Sequence, residues 1–209
     1  MGILEDKRRA RTFYKYLSKI YDKINPIFWT IPMRERAIYL FDITSTDKIL
    51  DVGCGTGFGT EGLLKRTTNV YGIDHSIHQL NKAREKFSTS SYVPLYIGDA
   101  ENLPFFDDVF DAVWSSGSIE YWPNPIETLS EIRRIVKPSG KVLLVGPKKP
   151  KGLFARTIAT SLMFFYTESE ADHLFSAAGF ENIQHILLQA HIGSPSAIVT
   201  LATVPPSKK

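Results

Sequence analysis

"LDVGCGTGFG" (50–59) joins a short apolar run, "KILDVG" (48–53), to a helical stretch at 58–66. Gly53, Gly55 and Gly57 permit positive φ and let backbone come close to a ligand. The turn opens onto a helix start, where free N–H groups favour anionic or carboxylate groups. A dinucleotide fingerprint needs G-x-G-x-x-G. Counted from Gly53 the last place falls on Phe58, and from Gly55 it falls on Thr60. The register fails, which argues against NAD or FAD.

Outward from this loop the pattern alternates. Ahead of it, residues 5–24 read as a helix with Phe13, Leu17, Ile20 and Ile24 on one stripe, and 32–41 as a second helix. After it, "NVYGID" (69–74) is a strand. Ser76 then opens a helix to Phe87, with Gln79 placed for a capping box. "YVPLYIGD" (92–99) and "FDAVWSS" (110–116) are the third and fourth strands. A helix from Pro125 to Val136 stops at "KPSG", before a fifth strand, "KVLLVG" (141–146). Short, nearly continuous apolar strands alternating with helices imply a parallel sheet covered on both faces. Thr167 and Glu170 form another capping box for a helix to Ala178, ended by Gly179. "NIQHILL" (182–188) and "SAIVTLAT" (196–203) follow with only a loop between them, so they must pair antiparallel. The expected fold is α/β. It is a doubly wound, mostly parallel sheet of seven strands with an antiparallel C-terminal edge pair and an N-terminal helical lid. The division is a cap over 1–44 and one structural unit over 45–209.

Composition narrows the function classes. The 209 residues, 43% of them hydrophobic, suit one compact domain. Residues 1–36 hold nine Lys/Arg against four acids, a local +5, so the remainder carries 3 − 5 = −2. That basic start could meet an anionic surface, or be a solubilising helix face. Cys54 is the only cysteine, which excludes a disulfide framework or a cysteine metal site within the chain and suggests a cytoplasmic setting. No metal is expected. No signal peptide, myristoylation pattern or apolar run of ~20 residues is present.

Each strand tip carries a polar group. Asp51 precedes the glycines, Asp74 ends the second strand, and "GDAENLPF" (98–105) follows the third. Ligands of open α/β sheets bind at these carboxyl ends. The spacing G-x-G-x-G with Asp51 resembles the first motif of the class I S-adenosylmethionine (SAM)-dependent methyltransferases, whose fold is Rossmann-like. The resemblance implies SAM as cofactor. Asp74 then meets the ribose hydroxyls, with His75 beside it, and Asp99 and the Ala100 backbone meet the adenine. Ser115 and Ser116 end the fourth strand at the same crevice. Tyr21 is the ring expected near the sulfonium, or else it packs the first helix on the sheet.

"GSIEYWPNP" (117–125) borders that crevice, too polar for core and too aromatic for a plain turn. With "INPIFWTIPMR" (24–34), "GTGFGT" (55–60) and "GDAENLPF", it resembles the methyl-phytyl-benzoquinol methyltransferases of tocopherol and plastoquinone synthesis, over roughly residues 20–190. This likeness implies methylation of a ring carbon of a prenylated quinol. Glu120 and Tyr121 become candidates to orient or deprotonate the ring hydroxyl. Trp29 and Trp122 become candidates to line the substrate; the alternative is that Tyr121 and Trp122 cap the core before Pro123. The plant enzymes carry a transit peptide and a C-terminal membrane anchor. These residues hold neither, so a prokaryotic relative acting on another prenylated quinol is expected. The run 148–166 puts lysines ahead of Phe154, Ile158, Leu162 and Phe165 on one helical face, either a peripheral membrane contact or a lid packed on the domain. Alternatives are another small-molecule O- or N-acceptor, RNA, or a SAM-binding subunit without turnover. The fourth strand lacks the [ND]-P-P-[YFW] sequence of DNA amino-methylation, which makes nucleic acid the weaker choice.

Overall fold

The computed structural model describes residues 29–89, 92–148, 166–191, 194 and 196–207. The expected helix at 5–24, Tyr21 and residues 149–165 of the lysine-led run lie outside them. The elements are α1 (Ile31–Phe41), β1 (Ile49–Val52), α2 (Phe58–Leu63), β2 (Val70–Asp74), α3 (Ile77–Phe87), β3 (Leu95–Ile97) and β4 (Phe110–Ser116). A 3-10 turn (Ile119–Tyr121), α4 (Pro125–Ile135), β5 (Val136–Pro147), α5 (Glu168–Ala177), β6 (Glu181–Gln189) and β7 (Ser196–Thr203) complete the order.

The seven strands form one sheet in the order β3-β2-β1-β4-β5-β7-β6. The pairs from β3 to β5 are parallel. β7 inserts beside β5, and β6 closes that edge, both antiparallel. Alternation along β1 divides the core. Leu50 and Val52 face Val113, Leu129, Ile132 and Phe175, the side of α4 and α5. Ile49 faces Met33, Phe41, Leu63 and Trp114, the side of α1 and α2. β1 has β2 on one side and β4 on the other, and chain connections leave it in opposite directions. Such a switch point opens a crevice at the strand tips.

Four expectations change. The third strand shrinks to Leu95–Ile97, because it is an edge strand and Pro94 has no N–H to give; its carbonyl still accepts from Gly72 N at 3.0 Å. "KPSG" is not a gap between helix and strand. It lies inside the 12-residue β5, whose irregular start has Ser139 at φ 63° and a register shift opposite Phe110–Ala112. The Ser76–Gln79 capping box does not form. Ser76 N instead donates to Asp74 Oδ1 at 2.8 Å, so the acid two residues back takes the N–H that Gln79 would have accepted. The helix after the glycine loop is also shorter than expected and ends at Leu63.

The Thr167–Glu170 box does form, with Glu170 N donating to Thr167 Oγ1 at 3.2 Å and Thr167 N to Glu170 Oε2 at 2.8 Å. Thr167→Ala should therefore lower stability by about 1 kcal/mol, measured by urea unfolding.

Candidate active site

The glycine loop runs from β1 to α2 with Gly53 at φ 72°, Gly55 at φ 53° and Gly57, the N-cap of α2, at φ 82°. Two of these glycines do different work. A Cβ on Gly53 would collide with Ser118 Oγ, so that glycine lets the segment after β4 close onto the loop. A Cβ on Gly55 would meet nothing within 4 Å. Its bare backbone therefore faces open space at the strand tips, where a ligand can approach. Gly53 N and Cys54 N donate to Ile73 O at 2.8 and 3.1 Å, which pins the loop to β2.

Two acids flank the loop. Asp74 Oδ2 accepts from Gly55 N at 2.9 Å and Oδ1 from Ser76 N, so the end of β2 and the glycine turn are one unit. His75, half exposed, holds Nδ1 3.7 Å from Asp74 Oδ1. Asp51 is buried and its Oδ2 accepts from Thr60 Oγ1 at 2.7 Å. Burial pushes the Asp51 carboxyl up to about 7, against the pull of the Thr60 hydrogen bonds and with help from the charge of Asp74. Asp99 is exposed beyond β3, and its Oδ1 accepts from Glu101 N at 3.1 Å with half-buried Ala100 between them. Glu101 Oε1 in turn accepts from Asn124 N at 3.1 Å, which ties the loop after β3 to the one after β4.

The residues expected beyond β4 separate into two groups. Ser115 is buried and its hydroxyl donates to Val52 O at 2.8 Å. That bond between adjacent strands takes the Ser115 side chain away from the crevice. Ser116 Oγ, half-buried, accepts from Trp114 Nε1 at 3.2 Å. Trp122 donates from Nε1 to Ser118 Oγ at 2.9 Å and packs in the core with Ile119 and Leu129, which gives it an anchoring role. Trp29 is likewise buried, beside Met33 and Val145 on the α1 side, and its Nε1 has no hydrogen-bond partner among the described residues. The 3-10 turn carries Glu120, 5% exposed, and half-buried Tyr121 past the tip of β4.

Bare backbone at Gly55, the Asp74 carboxylate and the buried Asp51 thus meet at the switch point. Residues 50–144, which span this set, match the family described as "Methyltransferase domain". The chain carries a methyltransferase domain. It is 42% identical over 185 residues to 2-methyl-6-phytyl-1,4-hydroquinone methyltransferase 2 of Oryza sativa, covering 87% of this chain and 53% of that protein. It is 29% identical to the demethylmenaquinone methyltransferase of Staphylococcus aureus, over 86% of this chain and 88% of that protein. The chain spans about half the length of the plant enzymes it matches. A Haloferax volcanii methyltransferase, solved in complex with the Trm112 methyltransferase activator, shares the fold with a TM-score of 0.80 at 20% identity, over 96% of this chain and 99% of that one. Phosphoethanolamine N-methyltransferase 2 of Haemonchus contortus, in complex with S-adenosyl-L-methionine, gives 0.72 at 18%, over 85% and 53%.

Sequence reasoning missed residues that hold the methyltransferase domain's loop in place. Arg34 of α1 is buried, and its Nη1 donates to Phe58 O at 2.8 Å and to Glu61 Oε2 at 2.9 Å. Its Nη2 pairs with Glu35 at 2.6 Å, and the guanidinium lies 4.6 Å from the Phe58 ring centre. Lys65 and Lys86 balance the same two acids. This network holds the first turn of α2 against α1. Thr60 and Ser118 were also overlooked. An isolated arginine or hydroxyl gives no sign of its burial in the sequence, because each partner lies in another element.

Two outcomes follow from these contacts. Arg34→Met should cost roughly 1–3 kcal/mol in urea unfolding, since it takes the donor from the Phe58 carbonyl while Lys65 and Lys86 still pair with the two acids. The raised Asp51 carboxyl means that the folded protein holds a proton that the unfolded chain, at 3.8, releases. Stability from this group is full below the unfolded value and is lost as pH rises through about 7. In Asp51→Asn that decline should flatten, read as urea midpoints across this range.

Proposed function

We propose that this protein is a SAM-dependent methyltransferase that transfers a methyl group to a ring carbon of a prenylated quinol. The single observation that carries the reading is the 40–42% identity, across 87% of the chain, with four plant enzymes named as 2-methyl-6-phytyl-1,4-hydroquinone methyltransferases. The nucleoside's site is consistent with the fold: Gly55 offers open backbone, Asp74 lies beside it, and Asp99 stands at the neighbouring strand tip. When bound, SAM supplies a methyl group already activated on a sulfonium.

The chain's own task is to place the ring and to move one proton. Holding the acceptor carbon in line with the methyl supplies several of the roughly 7–11 kcal/mol available from orientation. A neutral ring carbon is a weak nucleophile, and removing the proton of the adjacent hydroxyl raises its electron density. In this proposal Glu120 takes that proton, directly or through water, and Tyr121 orients the oxygen; after transfer the methylated carbon gives up its own hydrogen, which restores the aromatic ring and the hydroxyl, so that one proton is released for each methyl carried. Trp29 is proposed beside the ring, since its buried indole N–H has no hydrogen-bond partner among the described residues. A lipophilic tail makes peripheral contact with a membrane, from the cytoplasmic side, part of the same proposal. The lysine-led sequence 148–166 supports it. Among the described residues, no helix is long and apolar enough to cross a membrane.

Calorimetry with SAM, followed by labelled-methyl transfer to prenylated benzoquinols and naphthoquinols, tests the proposal. Incorporation into a ring carbon is expected. Tight SAM uptake without transfer to any quinol would overturn it. Glu120→Gln should lower turnover by about two orders of magnitude and leave SAM affinity intact.

A further inference from the structure

Ser118 N-caps the 3-10 turn, a place where a serine hydroxyl ordinarily accepts a backbone N–H, yet here it makes no such cap. Its oxygens have other partners. The carbonyl accepts from Tyr121 N at 3.0 Å, and the hydroxyl oxygen accepts from Trp122 Nε1 at 2.9 Å. Trp122 is buried with Ile119 and Leu129, so a core side chain holds that hydroxyl. The two residues that follow Glu120 are thus both tied back to the residue that opens its turn.

The same side chain rests on the glycine loop. A Cβ on Gly53 would overlap Ser118 Oγ and stand 2.6 Å from Ser118 Cβ. Gly53 is fixed in turn, at φ 72° with its N–H on Ile73 O at 2.8 Å. Ser118 is therefore wedged between Trp122 and a loop bound to β2. The contacts on either side of the wedge lead elsewhere. Gly117 N donates to Val145 O at 3.0 Å, and Asn124 N to Glu101 Oε1 at 3.1 Å. Close-packed side chains pass on a displacement rather than absorb it. A ligand that shifts the backbone at Gly53 must shift Ser118, and the turn with it.

We infer that Ser118 is a positioning residue that joins cofactor to acceptor: a cofactor seated on the glycine loop sets, through Ser118 and its bond to Trp122, where the 3-10 turn holds Glu120 and Tyr121. The effect on transfer rests on the proposed roles of those two residues, while the link itself can be read without a quinol. Linkage is reciprocal, so an acceptor that orders the turn raises cofactor affinity by the factor that cofactor raises the acceptor's.

The protein has three tryptophans, and Trp122→Phe identifies the Trp122 peak among the indole N–H resonances of the nitrogen-labelled full chain. S-adenosylhomocysteine should move that peak in the unaltered protein. Ser118→Ala keeps the Cβ on Gly53 and removes the acceptor of the indole, so the peak should then no longer respond. In transfer to a prenylated benzoquinol the same variant should lose roughly tenfold in turnover, the scale of one hydrogen bond left unmade, with SAM affinity held within about twofold. In the Trp122→Phe background Ser118→Ala should cost no further turnover. Should Ser118→Ala not fold, Ser118→Cys, whose sulfur is a weaker acceptor, carries the same comparison. A Trp122 peak that ignores S-adenosylhomocysteine, one that still responds in the Ser118 variants, or losses that multiply in the double variant would each overturn the inference. If no quinol is methylated but the response is lost in Ser118→Ala, the link stands and the quinol assignment falls.

Discussion

A buried carboxylate gripping a hydroxyl on the far side of a loop shapes this molecule's site. Asp51 ends the inward run of β1, and Thr60 lies in α2; their 2.7 Å hydrogen bond spans the glycine loop and draws its two ends together. Space for the bond exists because Gly59 has no side chain, and a Cβ there would stand 2.9 Å from Asp51 Oδ2 and 2.5 Å from Trp114 Nε1. With both ends held, the middle of the loop is left with open backbone at Gly55 and a contact to Asp74. Burial makes this arrangement electrostatically expensive, which is why the Asp51 carboxyl is raised. A cationic ligand close by would favour its ionised form, so the strain is placed where a sulfonium nucleoside is proposed to bind.

The segment after β4 is built on a different principle. Ser118 receives the Trp122 N–H and also occupies the volume that a side chain on Gly53 would need. The aromatic stretch after β4 is therefore clamped to the glycine loop by one small residue. Glu101 adds a second clamp through Asn124, from the loop after β3. The two halves of the crevice are coupled by short polar contacts between loops, while the sheet beneath them is apolar and closely packed. Loops carried on such a scaffold can vary in chemistry without disturbing the fold.

The quoted motifs made much of this legible. The strand "FDAVWSS" has the bounds expected from its residues, and so does "SAIVTLAT", because an unbroken apolar or β-branched run ended by glycine or proline has few other uses. The places of Asp51, Asp74 and Asp99 at or near the ends of β1, β2 and β3 were readable, because each follows from the bounds of one short apolar strand. Ser76 shows the limit. Gln79 had the right spacing to reach back to the Ser76 N–H, but Asp74 takes that N–H at 2.8 Å and, as an acid, is the stronger acceptor. Ser115 shows it again: a hydroxyl at a strand tip was expected to face the crevice, yet it closes a gap between β4 and β1.

Sequence alone determined the α/β class, the order of elements, the failed dinucleotide register and the acids of the loop, because each depends on residues within one turn or strand of each other. Tertiary structure decided the rest. Arg34 meets Glu61 across 27 positions, and Ser115 meets Val52 across 63. Tyr166 and Ile119 come together only where Gly146 of β5 leaves them room. Whether a polar side chain faces solvent, a ligand or a buried partner depends on what packs against it, and long-range packing leaves no local periodicity to read.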